Sequence, residues 1–270
     1  MPDESKSAHH GRLHILTNDE IQNIFYLPTF TDEERFSYFS LTQSEFEILD
    51  QLRSLPSKLN FILQLGYFKE RRQFFNFEFA DVSADVEFIC RKYFPQDQIE
   101  IQNLPKIAVN TILKHRRTIA ALHQFRFCRS ARARKAIEQT ARNAARISAK
   151  PIYIFREILA FLENQRIILP GYSFLQDTIS MALNYEEQRL QILLQQKLTI
   201  LETKQLDELL SDSGGLYEIT NLKREARDFS LGEIRREIER GIKIRELYQA
   251  AKEILPLLEI SNQSIAHYAS

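Results

Sequence analysis

Residues 17–45 read TNDEIQNIFYLPTFTDEERFSYFSLTQSE, and in that stretch a threonine stands three residues ahead of a glutamate three times: Thr17 and Glu20, Thr31 and Glu34, Thr42 and Glu45. At this spacing the hydroxyl and the carboxylate satisfy each other's orphan backbone N–H groups at a helix start. Ser230 and Glu233 repeat the pattern far down the chain. Four such starts predict an all-α, multi-helical protein.

The rest of the composition agrees. With 270 residues, 44% of them hydrophobic, the chain can bury a core. Seven glycines leave little material for the regular tight turns of a sandwich or barrel.

Working outward from the capping boxes, the first helix spans about 18–26 and stops at Pro28. A second turn of helix starts at Asp32. A third, over 43–53, sets Phe46, Leu49 and Leu52 on one face. The helix from Pro56 to about Arg71 is apolar most of the way round, so it is expected at the centre of the first bundle. Phe75, Phe77 and Phe79 alternate with polar residues, which fits a short edge strand or an extended loop equally well. Val82, Val86, Ile89 and Cys90 return to helical spacing, with Cys90 expected as a small core residue.

Next comes a helix over about 105–127, with Lys114, Arg116 and Arg117 projecting from its apolar stripe. It is followed by an alanine- and arginine-rich helix over 130–149, anchored by Ile137 and Ile147. The break at 127–129 gives the layout of a helix-turn-helix unit. A helix from Pro151 ends before Leu169, Pro170 and Gly171. Amphipathic segments over 173–198, 204–210, 221–228, 231–250 and 263–268 form a second helical unit, with Ser213, Gly214 and Gly215 as hinge. The domain expectation is therefore 11–170, with sub-units about 11–103 and 104–170, followed by 171–270.

Thirty-six basic and thirty-six acidic residues cancel over the chain, but not locally. Residues 1–113 are net −6 and residues 151–270 net −4, whereas residues 114–150 are net +10 with Glu138 as their one acid. That block holds Lys114, Arg116, Arg117, Arg126, Arg129, Arg132, Arg134, Lys135, Arg142, Arg146 and Lys150. Guanidinium forks suit bidentate contact with phosphate oxygens and guanine edges, and a thin alanine-rich helix fits a major groove about 12 Å wide. These eleven residues are the candidate DNA contacts. Arg132 and Arg142 are candidate base readers, and Lys114, Arg116, Arg117 and Lys150 fall to the backbone.

Catalytic constellations are missing from the sequence. It contains no phosphate-binding glycine loop, no nucleophile elbow and no H-E-x-x-H. Cys90 and Cys128 lack metal-ligand spacing, and His115 and His123, eight apart, are expected as phosphate-contacting or solvated side chains. His9 and His10 read as solvated tail. No cofactor, metal, membrane or small-molecule substrate is expected, and the location expected is cytoplasmic and nucleoid-associated.

Several elements resemble one family. Ile15, Leu16 and Thr17 through Leu27 and Pro28, then Asp32, Glu33, Glu34, Tyr38 and Phe39, and the LNFILQLGYF of residues 59–68, resemble the N-terminal region of the large replicative, cointegrate-forming bacterial transposases of the Tn-three family. His115, Arg116 and Ile119 ahead of Phe125, Arg126 and Phe127 look like its HR-then-aromatic segment. Leu169, Pro170 and Gly171 are similar to its LPG element, and Leu222, Lys223, Ser230, Leu255 to Leu257, Ser261 and His267 to Ala269 follow its later pattern. The chain departs at His123 and Gln124, where the family often has glycine, and at Lys92, Tyr93 and Phe94. The resemblance implies non-catalytic recognition of double-stranded DNA, the transposon's terminal inverted repeats, with the catalytic carboxylates in a region this chain does not contain. A second copy of the chain, through a downstream region, is the other candidate partner. The rival reading is a helical protein-interaction module whose basic face docks an acidic partner.

Overall fold

The structure, a computed structural model, describes residues 13–96, 100–199, 203–204, 207, 220, 222–223 and 225–264. It is all-α. The helices are α1 (Asn18–Phe25), α2 (Asp32–Tyr38), α3 (Gln43–Asp50), α4 (Leu55–Arg71), α5 (Ser83–Tyr93), α6 (Val109–Leu122), α7 (Ala131–Ile147), α8 (Pro151–Asn164), α9 (Tyr172–Lys197) and α10 (Leu231–Ile254).

The three threonine boxes form as their spacing requires. In each, the glutamate carboxylate accepts from the threonine amide at 2.8 Å and the threonine hydroxyl accepts from the glutamate amide. The fourth is half formed. Ser230 Oγ accepts from the Glu233 amide at 3.3 Å, but the Ser230 amide is taken by Asp228.

α4 is the centre of the first compact unit. All ten residues from Leu59 to Phe68 are buried, and α2, α3, α5 and α6 pack around them. Gly66 permits the closest approach, because a methyl group there would run into the ring of Phe39. The buried Asp85 carboxylate accepts from Tyr67 Oη and from Arg35 Nε, both at 2.7 Å, which joins α5 to α4 and α2.

Of the two alternatives for Phe75, Phe77 and Phe79, the loop is found: 74–78 is irregular, with the rings of Phe75 and Phe77 turned onto Tyr67, and Phe79 opens a 3-10 turn. The only bridge among the described residues is an isolated one between Arg126 and Ile167. Several other expectations are corrected. Phe46 is 40% exposed rather than core, and Cys90 packs at the margin of the core. α6 is shorter than expected at both ends, and residues 225–230 are not helical. The hinge at 213–215, the tail histidines, and most of the segments expected helical over 204–210 and 263–268 lie outside the described residues.

The chain divides into two compact units. One takes in the described residues up to Ala141 together with Pro151–Ser180; the other takes Arg142–Lys150 and the described residues from Met181 on. The dividing points fall inside α7, between α7 and α8, and inside α9.

Candidate nucleic-acid interface

α6 is pinned to α4 by its inner face, where Ile119 and Ala120 are buried. His115, 3% exposed, belongs to that face: Nδ1 lies 2.9 Å from Asn60 Oδ1 and Nε2 3.1 Å from Ser57 Oγ. Burial, aided by the Lys114 charge, pulls its pKa down to about 4. At the helix end His123 Nε2 approaches Glu45 Oε1 at 3.2 Å, and Lys69 Nζ reaches the same carboxylate at 2.8 Å. Burial alone would push Glu45 up; His123, Lys69 and the Thr42 amide outweigh it and hold the group at about 2. Both histidines therefore face inward, and neither is the phosphate-contacting or solvated side chain expected.

With that face fixed, the rotation of about 100° per residue decides its neighbours. Lys114 and Arg117 point to solvent. Arg116 does not. Its Nη2 donates to the Phe75 carbonyl at 2.6 Å and to Asn76 Oδ1 at 2.8 Å, and burial, then the nearby Arg129, lowers its pKa.

Residues 123–130 connect α6 to α7. This is longer than the three- or four-residue turn of a helix-turn-helix, and its conformation is set by tethering. Gln124 adopts φ 60°, in the left-handed region. The Arg126 amide donates to Arg166 O and the Ile168 amide to Arg126 O, at 2.8 and 2.9 Å, while Leu169 N reaches Arg72 O at 3.1 Å. The connection, the segment after α8 and the end of α4 are thereby laced together. The ring of Phe127 stacks on Phe74, with centroids 5.9 Å apart.

Ser130 caps α7 by accepting from the Ala133 amide at 3.1 Å. Ile137 and Ala141 are fully buried, so Arg132, Lys135 and Gln139 share the opposite, exposed edge of the helix. Arg134 lies nearer the inner side and lines a cleft of about 480 Å³ with Arg116, Arg117 and Arg129. Phe74 and Phe127 form part of its wall, Pro170 and Gly171 part of its rim, and no carboxylate lines it.

Of the eleven basic candidates, Lys114, Arg117, Arg126, Arg129, Arg132, Arg134, Lys135 and Lys150 are exposed and make no salt bridge among the described residues. Arg126 donates to a carbonyl, that of Gln165, at 3.1 Å. Two are occupied within the second unit. Arg142 lies 4.2 Å over the ring of Tyr185, and Arg146 Nε is 3.9 Å from Glu186, whose carboxylate is chiefly held by Arg189 at 2.6 and 2.8 Å. Ile147, expected as an apolar anchor, is 48% exposed; Ala144 and Ala145 are the buried positions at that end of α7.

Gln139, seven positions after Arg132 and four after Lys135, shares their edge of α7, and the sequence reading did not single it out. That reading also missed the aromatic wall of the cleft, because Phe74 and Phe127 are 53 positions apart. Among the described residues no cluster of His, Cys, Asp and Glu could hold a metal ion, and no helix is long and apolar enough to cross a membrane.

No curated protein closely matches this chain. Residues 15–182 match the family DUF4158, described as a domain of unknown function. That stretch runs from ahead of α1 into α9, takes in the cleft and covers more than half of the sequence, so the chain belongs to the DUF4158 family.

Proposed function

We propose that this chain binds double-stranded DNA sequence-specifically, recognising terminal inverted repeats as the non-catalytic N-terminal part of a Tn-three-type transposase. One observation carries the reading: seven exposed basic side chains of the first unit, Lys114, Arg117, Arg126, Arg129, Arg132, Arg134 and Lys135, are left without a carboxylate partner among the described residues. Unpaired guanidinium groups at this density attract a polyanion and repel one another unless one is bound. The domain's occurrence in transposase-related proteins supports the nucleic-acid partner.

In this reading α7 presents Arg132, Lys135 and Gln139 to base edges. Arginine pairs with guanine O6 and N7, and glutamine with adenine N6 and N7. Lys114, Arg117 and Arg129 contact phosphates, which sets register without carrying sequence. Arg142 and Arg146 take no part.

Selection from a randomised duplex library tests it. A single enriched sequence is expected, on which Arg132→Ala costs about 1–3 kcal/mol while random duplex is bound nearly as before. Retention of no duplex, with binding to an acidic protein instead, would establish the rival docking module.

A further inference from the structure

The cleft beside α7 is poorly shaped for a duplex. It is concave and holds about 480 Å³, whereas a double helix meets a protein as a broad convex rod. Yet it gathers four of the block's guanidinium groups, those of Arg116, Arg117, Arg129 and Arg134. An ion pair inside it would normally relieve such crowding, and no carboxylate lines it. Arg116 is the telling member. It is fixed by three hydrogen bonds, to Phe75 O, Asn76 Oδ1 and Gln64 Oε1, and lies 5.8 Å over the ring of Phe74; all of these partners are neutral, so its charge is oriented with no carboxylate against it.

The other half of the lining is apolar and largely aromatic. Phe74 stacks with Phe68 and with Phe127, at interplanar angles of 17° and 25°, and Phe74 and Phe127 line the cleft with Leu113 and Ile168. At the rim, Gly171 precedes the first turn of α9, the positive end of a 26-residue helix, and a Cβ built there would meet nothing within 4 Å. Four cationic forks beside an aromatic wall, in a volume suited to a small ligand, match a molecule that is anionic at one end and a flat π-surface at the other. A bare phosphate would leave the wall unused, and an acidic peptide supplies carboxylates but no ring.

We propose that this cleft is a nucleotide pocket, in which a nucleoside phosphate places its phosphate among Arg116, Arg117, Arg129 and Arg134 and its base against the Phe74 and Phe127 wall. The nucleotide comes either from a strand, as an unpaired or turned-out residue, or from solution. The pocket goes beyond duplex binding by the outer edge of α7: Arg117 and Arg129 are common to both readings, whereas Arg134, Phe74 and Phe127 serve the pocket alone and tell the two apart.

The test titrates the full chain calorimetrically with dAMP and, in parallel, with deoxyadenosine and with inorganic phosphate. dAMP is expected to bind at least tenfold more tightly than either fragment. Arg134→Gln, at an exposed side chain, is expected to weaken dAMP at least fivefold. Phe127→Leu is expected to bring dAMP down to the affinity of phosphate alone. In a Cys90→Ala chain, saturating dAMP should slow alkylation of Cys128, which lines the cleft. If Phe127→Leu fails to fold, Arg134→Gln and the Cys128 protection decide the matter.

Equal affinity for dAMP and phosphate in the parent chain overturns the proposal, as does an Arg134→Gln chain that binds dAMP unchanged. A 5′-phosphorylated single strand that displaces dAMP identifies a strand as the source; dAMP binding that the strand leaves untouched identifies the free nucleotide, and both results support the pocket. Loss of dAMP binding with duplex retention intact would fault the pocket alone, and the converse would fault the duplex reading alone.

Discussion

His115 shows how far one side chain can sit from its sequence reading. It lies in a run of basic residues, and nothing local distinguishes it from a phosphate contact; only the packing of α6 on α4 turns it onto Asn60 and Ser57. Folding lowers its pKa from 6.5 to about 4, so the unfolded chain takes up the proton first. The stability it contributes is then complete above pH 6.5 and is lost as pH falls toward 4, by on the order of 3 kcal/mol. Glu45 adds a second window. Its pKa falls from 4.5 to about 2 on folding, so its contribution is present above pH 4.5 and lost as pH drops toward 2. Thermal midpoints measured from pH 7 to pH 2.5 should therefore fall in two stages, and His115→Gln should flatten the first while leaving the second. Identical profiles for the two chains would refute this assignment. Gln124 gives a second residue-scale expectation, since its φ of 60° penalises a branched side chain. Gln124→Val should cost about 1–2 kcal/mol in denaturant unfolding, and Gln124→Gly should change little, because relief of backbone strain offsets the added freedom of the unfolded chain.

Among the elements, α4 was the most legible and α7 the least. Ten consecutive buried positions leave a helix no polar face, so the composition of residues 59–68 alone placed α4 at the centre. What composition could not convey is how closely its neighbours approach. Gly66 faces Phe39, itself fully buried and enclosed by Phe30, Tyr67 and Phe88 with centroids 5.5–6.3 Å away. Gly66→Ala would gain about 1 kcal/mol in helix propensity. The ring has no free space to move into, so overpacking of about 1–3 kcal/mol should win and unfolding should occur at lower denaturant. A stabilised variant would mean the α2–α4 contact yields more than its packing suggests. For α7 the residue pattern gave the helix with one anchor right, Ile137, and one wrong, Ile147. With alanines at most inner positions, the apolar Ile147 looked indispensable, yet Ala141, Ala144 and Ala145 are buried and Ile147 is not. Small residues allow a helix to sit close to its neighbours, and a hydrophobicity pattern weights them too lightly to reveal which side does so. The same blindness affected the arginines: spacing separated Arg132 from the core, but only tertiary contacts drew Arg116, Arg142 and Arg146 out of the set that is both exposed and without a partner.

At the scale of the molecule, charge is the property that whole-chain totals hide. A net charge of zero gives no long-range pull on a polyanion, so any salt-dependent affinity for duplex must come from local contacts in the basic block. Each phosphate neutralised releases condensed counterions and contributes about −0.9 to the slope of log affinity against log salt. Within the first unit the basic block offers seven exposed groups, and those on the outer edge of α7 and those facing the cleft cannot all reach one duplex. About five phosphate contacts is the reasonable number, which sets the slope near −4 to −5. Arg117→Ala should reduce its magnitude by about one and weaken cognate and random duplexes alike, since a phosphate contact is indifferent to sequence. Arg142→Ala should leave it unchanged, because that guanidinium is already engaged over Tyr185. Fluorescence anisotropy across a salt series measures all three chains on the same labelled duplex. A parent slope near zero would show that the block is neutralised when the chain meets DNA, and a shift with Arg142→Ala equal to that with Arg117→Ala would show that the second unit's arginines are released to take part.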